Sequence, residues 1–270
     1  MLRTGGARSL LAIVLAGVAA VACQSGPAPS DIADPRQILA AAVTSTSAAT
    51  TVRVDATAGG KVALDLLGLG TASTVELDGT TASADLDLAG GDARVTFSAP
   101  GLLGVTGELI ALHGTTYLKS TLTGALYHVS SLGPDIPTPS GEARASVLKG
   151  LTDLLVNPRI QPVKGDDAPC GSSTCYTVTI ALSAGDLAAL GAGNAQLPAG
   201  LPVPIQLPEL DTATVDLTIL VAKDTTRLAD LKAAVGLGAG GSATVELTFS
   251  KWDEPVSVVA PPPDQLAPAG

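Results

Sequence analysis

The most reactive groups in this 270-residue chain are three thiols, and their spacing separates them into two problems. Cys170 and Cys175 stand in "DDAPCGSSTCYTVTIAL", parted by Gly-Ser-Ser-Thr. A turn-like polar insert just before a strand pattern suits two thiols that oxidise to a disulfide, the default in an exported chain, and this bond would shape the small loop it closes. Cys23 is alone, where an apolar run gives way to Pro and Ser in "LAGVAAVACQSGPAPSDIADP". The remaining candidates carry less chemistry. A metal at the cysteine pair would need further ligands nearby, and His113 and His128 are remote in sequence, so neither a metal nor another cofactor is expected. Gly-x-Ser-x-Gly, His-Glu-x-x-His and a phosphate loop are all missing, which argues against an enzyme. His113 and His128 fall within strand patterns as structural or surface residues. The pairs Glu76/Asp78 and Asp85/Asp87 fall on the solvent side of strands by alternation, so they do not read as a catalytic dyad.

The residues ahead of Cys23 decide its chemistry. Residues 1–22 carry Arg3 and Arg8 and no acid, and the apolar run over 10–22 is shorter than the roughly 20 residues a membrane span needs. Ala20-Val21-Ala22-Cys23 resembles a bacterial lipobox, with Ala20 where Leu is commoner. That resemblance implies cleavage before Cys23, diacylation of its thiol, palmitate among the acyl groups, and a protein held by lipid at the cell membrane facing the extracytoplasmic space. Two or three acyl chains hold far better than one, each buried methylene contributing about 0.8 kcal/mol. The alternative is an ordinary secretory signal with an incidental cysteine. The division expected is a signal peptide over 1–22, an acylated tether over 23–33, a single domain over 34–260 and a loose Pro-rich tail over 261–270.

Composition narrows the partners. The formal charge of −10 becomes two units more negative once Arg3 and Arg8 are removed, there is no basic patch, and aromatics make up 2% of the chain, which excludes nucleic acid.

The elements that position these groups are mostly strands. Asp34-Pro35 reads as the N-cap and first position of a helix whose apolar face is Ile38, Leu39, Ala42 and Val43. Period-2 alternation then places Val52 and Val54, Val62, Leu64 and Leu66, Val75 and Leu77, Ala82, Ala84 and Leu86, and Ala93, Val95 and Phe97 on dry strand faces, with Gly59-Gly60, Asp78-Gly79 and Gly90-Gly91 as turns. Further strands are read in "GELIALHGTTYLKS", "ALYHVSS", 160–163 and 176–182. The helix "SGEARASVLKGLTDLLVNP" and the short helix "SAGDLAALGAG" interrupt them. Near the end Val215, Leu217 and Ile219, and then Val245 and Leu247, face one way. About ten strands and two or three helices result, with a long apolar Pro-rich segment over 190–211. A one-sided sheet of small apolar residues admits two outcomes, a packed core or a cavity that takes hydrocarbon.

Several stretches together resemble the LppX/LprA/LprF/LprG-type lipoproteins: the lipobox, the first helix leading into "VRVDATAGG", the "GTTYLKS" strand, "LVAKDTTRLADLKA" and "VELTFSKWDEPVSVVAPPPDQ". The resemblance implies an α+β fold. Its core would be a strongly curved antiparallel sheet, a half-barrel, with helices covering the concave face and an apolar cavity between, related more distantly to LolA and LolB. The dry-face residues from Val52 to Leu247, apart from Val62, Ala82 and Ala93, would then line the cavity. The function implied is binding an acylated lipid or glycolipid and carrying it through the envelope, with a membrane transporter as a further partner. The alternative is a non-enzymatic envelope scaffold with a packed core.

Overall fold

A computed structural model describes residues 31–64, 73–129, 152, 157–189 and 212–268. Contacts divide the chain after Asp31, and the unit Ile32–Gly270 holds every helix and strand among the described residues. The expected signal peptide, most of the tether with Cys23, the helix ahead of Asn157 apart from Thr152, and the apolar segment over 190–211 lie outside the described residues.

The unit is α+β, as expected. Its strands are β1 (Thr51–Leu64), β2 (Ser73–Glu76), β3 (Thr80–Asp87), β4 (Ala93–Ala99), β5 (Val105–Leu112), β6 (Thr115–Ser120), β7 (Gly124–Val129), β8 (Val163–Lys164), β9 (Ala168–Cys170), β10 (Ser173–Leu182), β11 (Thr214–Ala222), β12 (Leu228–Gly236) and β13 (Gly241–Ser250). They form one 13-stranded sheet in the order β7-β6-β5-β4-β3-β1-β13-β12-β11-β10-β8, with β2 added to β1 and β9 to β10. Strand pairing is antiparallel throughout. The two ends of the order do not pair with each other, so the sheet is an open half-barrel rather than a closed one.

Gly59-Gly60 is not the turn that alternation suggested. β1 continues through it for 14 residues, because β13 runs alongside on both sides of the pair, from Ala58↔Val245 to Lys61↔Ser242. Gly60 has φ +103°, and a Cβ there would lie 2.4 Å from the Ser242 carbonyl oxygen, so only glycine fits. At this point β1 exchanges its other neighbour, pairing with β3 up to Ala58 and with β2 from Lys61. The Asp78 carboxylate accepts the Gly60 N–H at 2.7 Å and fixes the exchange.

Two helices are described. In α1 (Pro35–Ala48), Asp34 caps the Arg36 N–H at 2.9 Å and Pro35 opens the first turn. Its Ile38, Leu39 and Ala42 are buried against Tyr176, Val178, Ile180, Ile219, Val221 and Leu228 of β10, β11 and β12. The short α2 (Ala184–Ala189) adds Leu187 to this core, and Asp186 accepts from the Ser183 hydroxyl and N–H ahead of it. The Arg36 guanidinium donates to the Ile160 carbonyl at 2.5 Å and holds the incoming end of α1.

The other end of α1 is held by the β11–β12 turn, beside which Trp252 packs beyond β13. The Trp252 Nε1 donates to the Leu228 carbonyl at 3.0 Å, and its ring stacks on Phe249 at 6.0 Å between centroids. The Ser45 hydroxyl donates to the Thr226 carbonyl at 2.6 Å.

The Pro-rich segment, expected to be loose from Pro261 on, is docked over its described part. Pro261 is buried, Leu266 bridges Tyr127 of β7, and the Ala267 N–H donates to the Tyr127 carbonyl at 2.8 Å. The segment thus satisfies backbone groups on an otherwise open edge strand.

Candidate functional site

Register assembles the dry strand faces into rows. One row runs Val52, Leu86, Ala93, Ala111 and Thr116 across β1, β3, β4, β5 and β6. The next runs Phe249, Val54, Ala84, Val95, Leu109 and Leu118. On the far side of β1, Ala56 continues into Leu247, Leu231, Ile219 and Val178, and Ala58 into Val245, Ala233, Leu217 and Ile180. Val215 pairs with Leu182 and Val235, and Val75 is buried opposite Val62. Phe97 pairs with Ala82 and Gly107. Leu77 follows β2 and donates its N–H to the Gly60 carbonyl at 2.8 Å, which keeps it in step with Val75. The strand residues named from alternation therefore share one face of one sheet. The exceptions are Leu66 and the side chain of Leu64, which lie outside the described residues.

These rows contain no charged residue in β1, β3, β4, β11, β12 or β13. Around β1 they are built of small side chains, namely Ala56, Ala58, Ala82 and Ala84. Burial is graded along them. Ile219, Val221 and Val178 are fully buried under α1, whereas Val54, Ala84, Leu86, Val95, Phe97, Val215, Leu217, Val245 and Leu247 are each half-buried. Alternation alone did not single out Leu109 and Leu118 of β5 and β6, or Leu231 of β12. The pairing of β4 with β5 and of β12 with β13 adds them to the face.

In those strands charge is confined to the opposite face; at the β10 edge Lys164 of β8 stands opposite Val178, on the same face as the rows. Arg53 lies 3.3 Å from Asp55 and 3.2 Å from Asp85, and the Ser83 hydroxyl donates to Asp55. The Ser83 hydrogen bond, more than the arginine, holds the Asp55 carboxyl below its ordinary range. Lys61 pairs with Glu76 at 2.5 Å, and the Asp87 carboxylate accepts the Ala89 and Gly90 N–H groups. The acidic pairs of the sequence are thus salt-bridge partners and turn caps. On this side the Tyr127 hydroxyl donates to Glu108 at 2.5 Å, and burial with this bond pushes its pKa to about 12. His113 occupies the β5–β6 turn, its backbone N–H donating to Asp92 at 2.9 Å, and His128 is an exposed residue of β7. Among the described residues no group of three or more His, Cys, Asp or Glu is placed to hold a metal ion.

Cys170 and Cys175 are joined in a disulfide, with Cα atoms 5.8 Å apart. The bond closes the β9–β10 hairpin, in which Ser173 faces Cys170 and Cys175 faces Ala168. Next to it Tyr176 lies between the Lys164 and Lys223 ammonium groups, 5.2 and 4.7 Å from the ring centre, and its hydroxyl accepts the Ile32 N–H at 3.1 Å.

Comparison with solved structures places this architecture. Lipoprotein LppX of Mycobacterium tuberculosis aligns with 84% of this chain and 100% of its own, at a TM-score of 0.51 and 18% identity. LprF of Mycobacterium bovis aligns with 84% of this chain and 96% of its own, at a TM-score of 0.47 and 16% identity. The chain has the fold of LppX, as its sequence resemblance implied. No family profile matches the chain, and no curated protein matches its sequence significantly.

Proposed function

We propose that this chain is a membrane-anchored lipoprotein that holds the acyl tails of a lipid or glycolipid against its uncharged strand face and carries them through the cell envelope. The observation that carries this reading is the set of half-buried apolar rows around Val54, Ala84, Val95, Val245 and Leu247. Because β1, β3, β4, β11, β12 and β13 carry no charge on this face, it offers a hydrocarbon tail a surface with no charged group to desolvate. Small residues beside β1 leave room there, and apolar surface gains roughly 25 cal/mol for each Å² taken from water. In this reading residues 1–22 are removed, Cys23 is acylated, residues 23–33 form the tether, and the unit beyond the tether does no chemistry on its ligand. A membrane transporter would be the partner that loads or unloads it.

One observation favours a second reading, an envelope scaffold with a filled core: the part of the face under α1 is fully packed, with Ile38, Val178 and Ile219 each at 0% exposure. Native mass spectrometry of the protein purified from its own membranes separates the two. The carrier retains a co-purifying lipid that dissociates on activation. The scaffold shows the acylated chain mass and nothing else.

A further inference from the structure

The two ends of the half-barrel differ in chemistry. At one end lie the turns β3–β4, β5–β6 and β11–β12 and the exit from β13, which carry Asp92, His113, Lys223, Asp224, Arg227, Lys251, Asp253 and Glu254. Among the described residues, the turns β2–β3, β4–β5, β6–β7 and β12–β13 at the other end carry Asp78 and no other charge. Two of them present leucines to solvent. Leu103, in "PGLLG" between β4 and β5, is 94% exposed, and Leu122, in "TLT" between β6 and β7, is 70% exposed.

These tips are built to stay where they are. Leu103 holds φ +58°, a left-handed conformation that favours Gly or Asn, so a leucine there costs backbone strain without gaining an internal contact. Its turn is closed by Leu102 N–H to the Ala99 carbonyl, Gly104 N–H to Pro100 and Val105 N–H to Leu102, all within 3.1 Å. The Thr121 N–H donates to the Thr106 carbonyl at 2.9 Å and the Thr106 N–H to the Thr121 hydroxyl at 3.1 Å, which sets the two turns side by side. Beside the β6–β7 turn opens a cleft of about 540 Å³, lined by Phe97, Gly107, Ser120 and Gly124 together with Glu108 and Lys119. The uncharged row of Phe97 and Ala82 therefore reaches this end.

We infer that the β4–β5 and β6–β7 turns dip into a lipid bilayer and set this end of the sheet against it as the mouth through which a tail passes. A bilayer fits better than a protein for two reasons. A stable protein interface needs above about 1,000 Å² of total buried area, more than two narrow turns supply, whereas lipid rewards each inserted aliphatic side chain separately. A chain of net charge −10 is also repelled by anionic headgroups, and the four described hairpin turns at this end carry Asp78 as their one charge, with Asp186 of α2 at the same end. The purpose of the contact rests on the carrier reading; the contact itself does not.

The test uses the full acylated chain in phosphatidylcholine vesicles. With Cys170 and Cys175 bonded and Cys23 acylated, Leu103→Cys, Leu122→Cys and, at the charged end, Thr225→Cys each offer one thiol for an environment-sensitive dye, and the parent chain reports any labelling at Cys23. The expected result is a blue shift and quenching by brominated lipid at positions 103 and 122 but not at 225, whether or not a lipid co-purifies. Dyes at 103 and 122 that respond no more than the one at 225 overturn the inference, even if a co-purifying lipid upholds the carrier. A blue shift that grows with protein concentration and needs no vesicles assigns the tips to a second copy of this chain and also overturns it.

Discussion

Asp253 accepts the backbone N–H of Thr50 at 2.7 Å across 203 residues of sequence, and the same carboxylate takes the Thr50 hydroxyl at 3.0 Å and the Arg227 guanidinium. Thr50 is the joint between α1 and β1, so one carboxylate ties the covering helix, the central strand and the β11–β12 turn together.

That tie is sensitive to acid. The Thr50 N–H, then Arg227 and the Thr50 hydroxyl, lower the Asp253 pKa to about 2. A carboxyl depressed in the folded state contributes stability above its unfolded pKa of about 3.9, and the contribution is lost as pH falls toward the folded value. Asp253→Asn should lower the denaturation midpoint at pH 7, and the gap from the parent should close between about pH 4 and pH 2. Urea titrations across that range check it; a gap that does not depend on pH would assign the effect to packing instead.

The Cys170–Cys175 bond closes so short a loop that chain entropy allows it only about 2 kcal/mol of stabilisation. Reduction should therefore leave the protein folded with a modestly lower melting temperature. Intact mass after alkylation should show two added groups with reductant and none without, counted on the Cys23→Ser chain so that the anchor does not contribute.

Cys23→Ser should release the protein from membranes or block its processing, because an acylated Cys23 is the anchor in the proposed reading. Fractionation after a salt wash checks it. A variant that still sediments wholly with membranes would show that something other than Cys23 holds the protein there.

Ala84 pairs with Val54 on one side and Val95 on the other, in the middle of the uncharged rows. Ala84→Trp should leave the melting temperature nearly unchanged and reduce co-purifying lipid, because the ring enters space that a tail would occupy. In a filled core the same substitution costs about 1–3 kcal/mol. Calorimetry and native mass spectrometry on one sample separate the outcomes: a large fall in melting temperature, with no lipid on the parent either, favours the scaffold.

Which face each strand residue takes is a local property, and the sequence determined it. The pleat has period 2, so Val52, Val54, Ala84, Val95, Leu217 and Leu247 declared their side without any knowledge of their neighbours. The N-cap at Asp34 and the hairpin cysteines were equally local. Partnership was not. Gly59-Gly60 looked like a turn because glycine pairs often end strands, and only β13 running past both residues makes it a bend in a longer strand. The Pro-rich tail looked loose because it has no period, and its pairing with Tyr127 depends on an edge strand more than 130 residues away. Burial was decided in the same way. Ile219 and Val245 are alike in the sequence pattern, yet one is sealed under α1 and the other half-open, since coverage is set by where a distant helix docks. Leu103 and Leu122 gave no sign of sharing an end until the Thr106–Thr121 bonds set their turns together. Alternation assigns faces residue by residue; register, which joins residues far apart in the chain, makes them a surface.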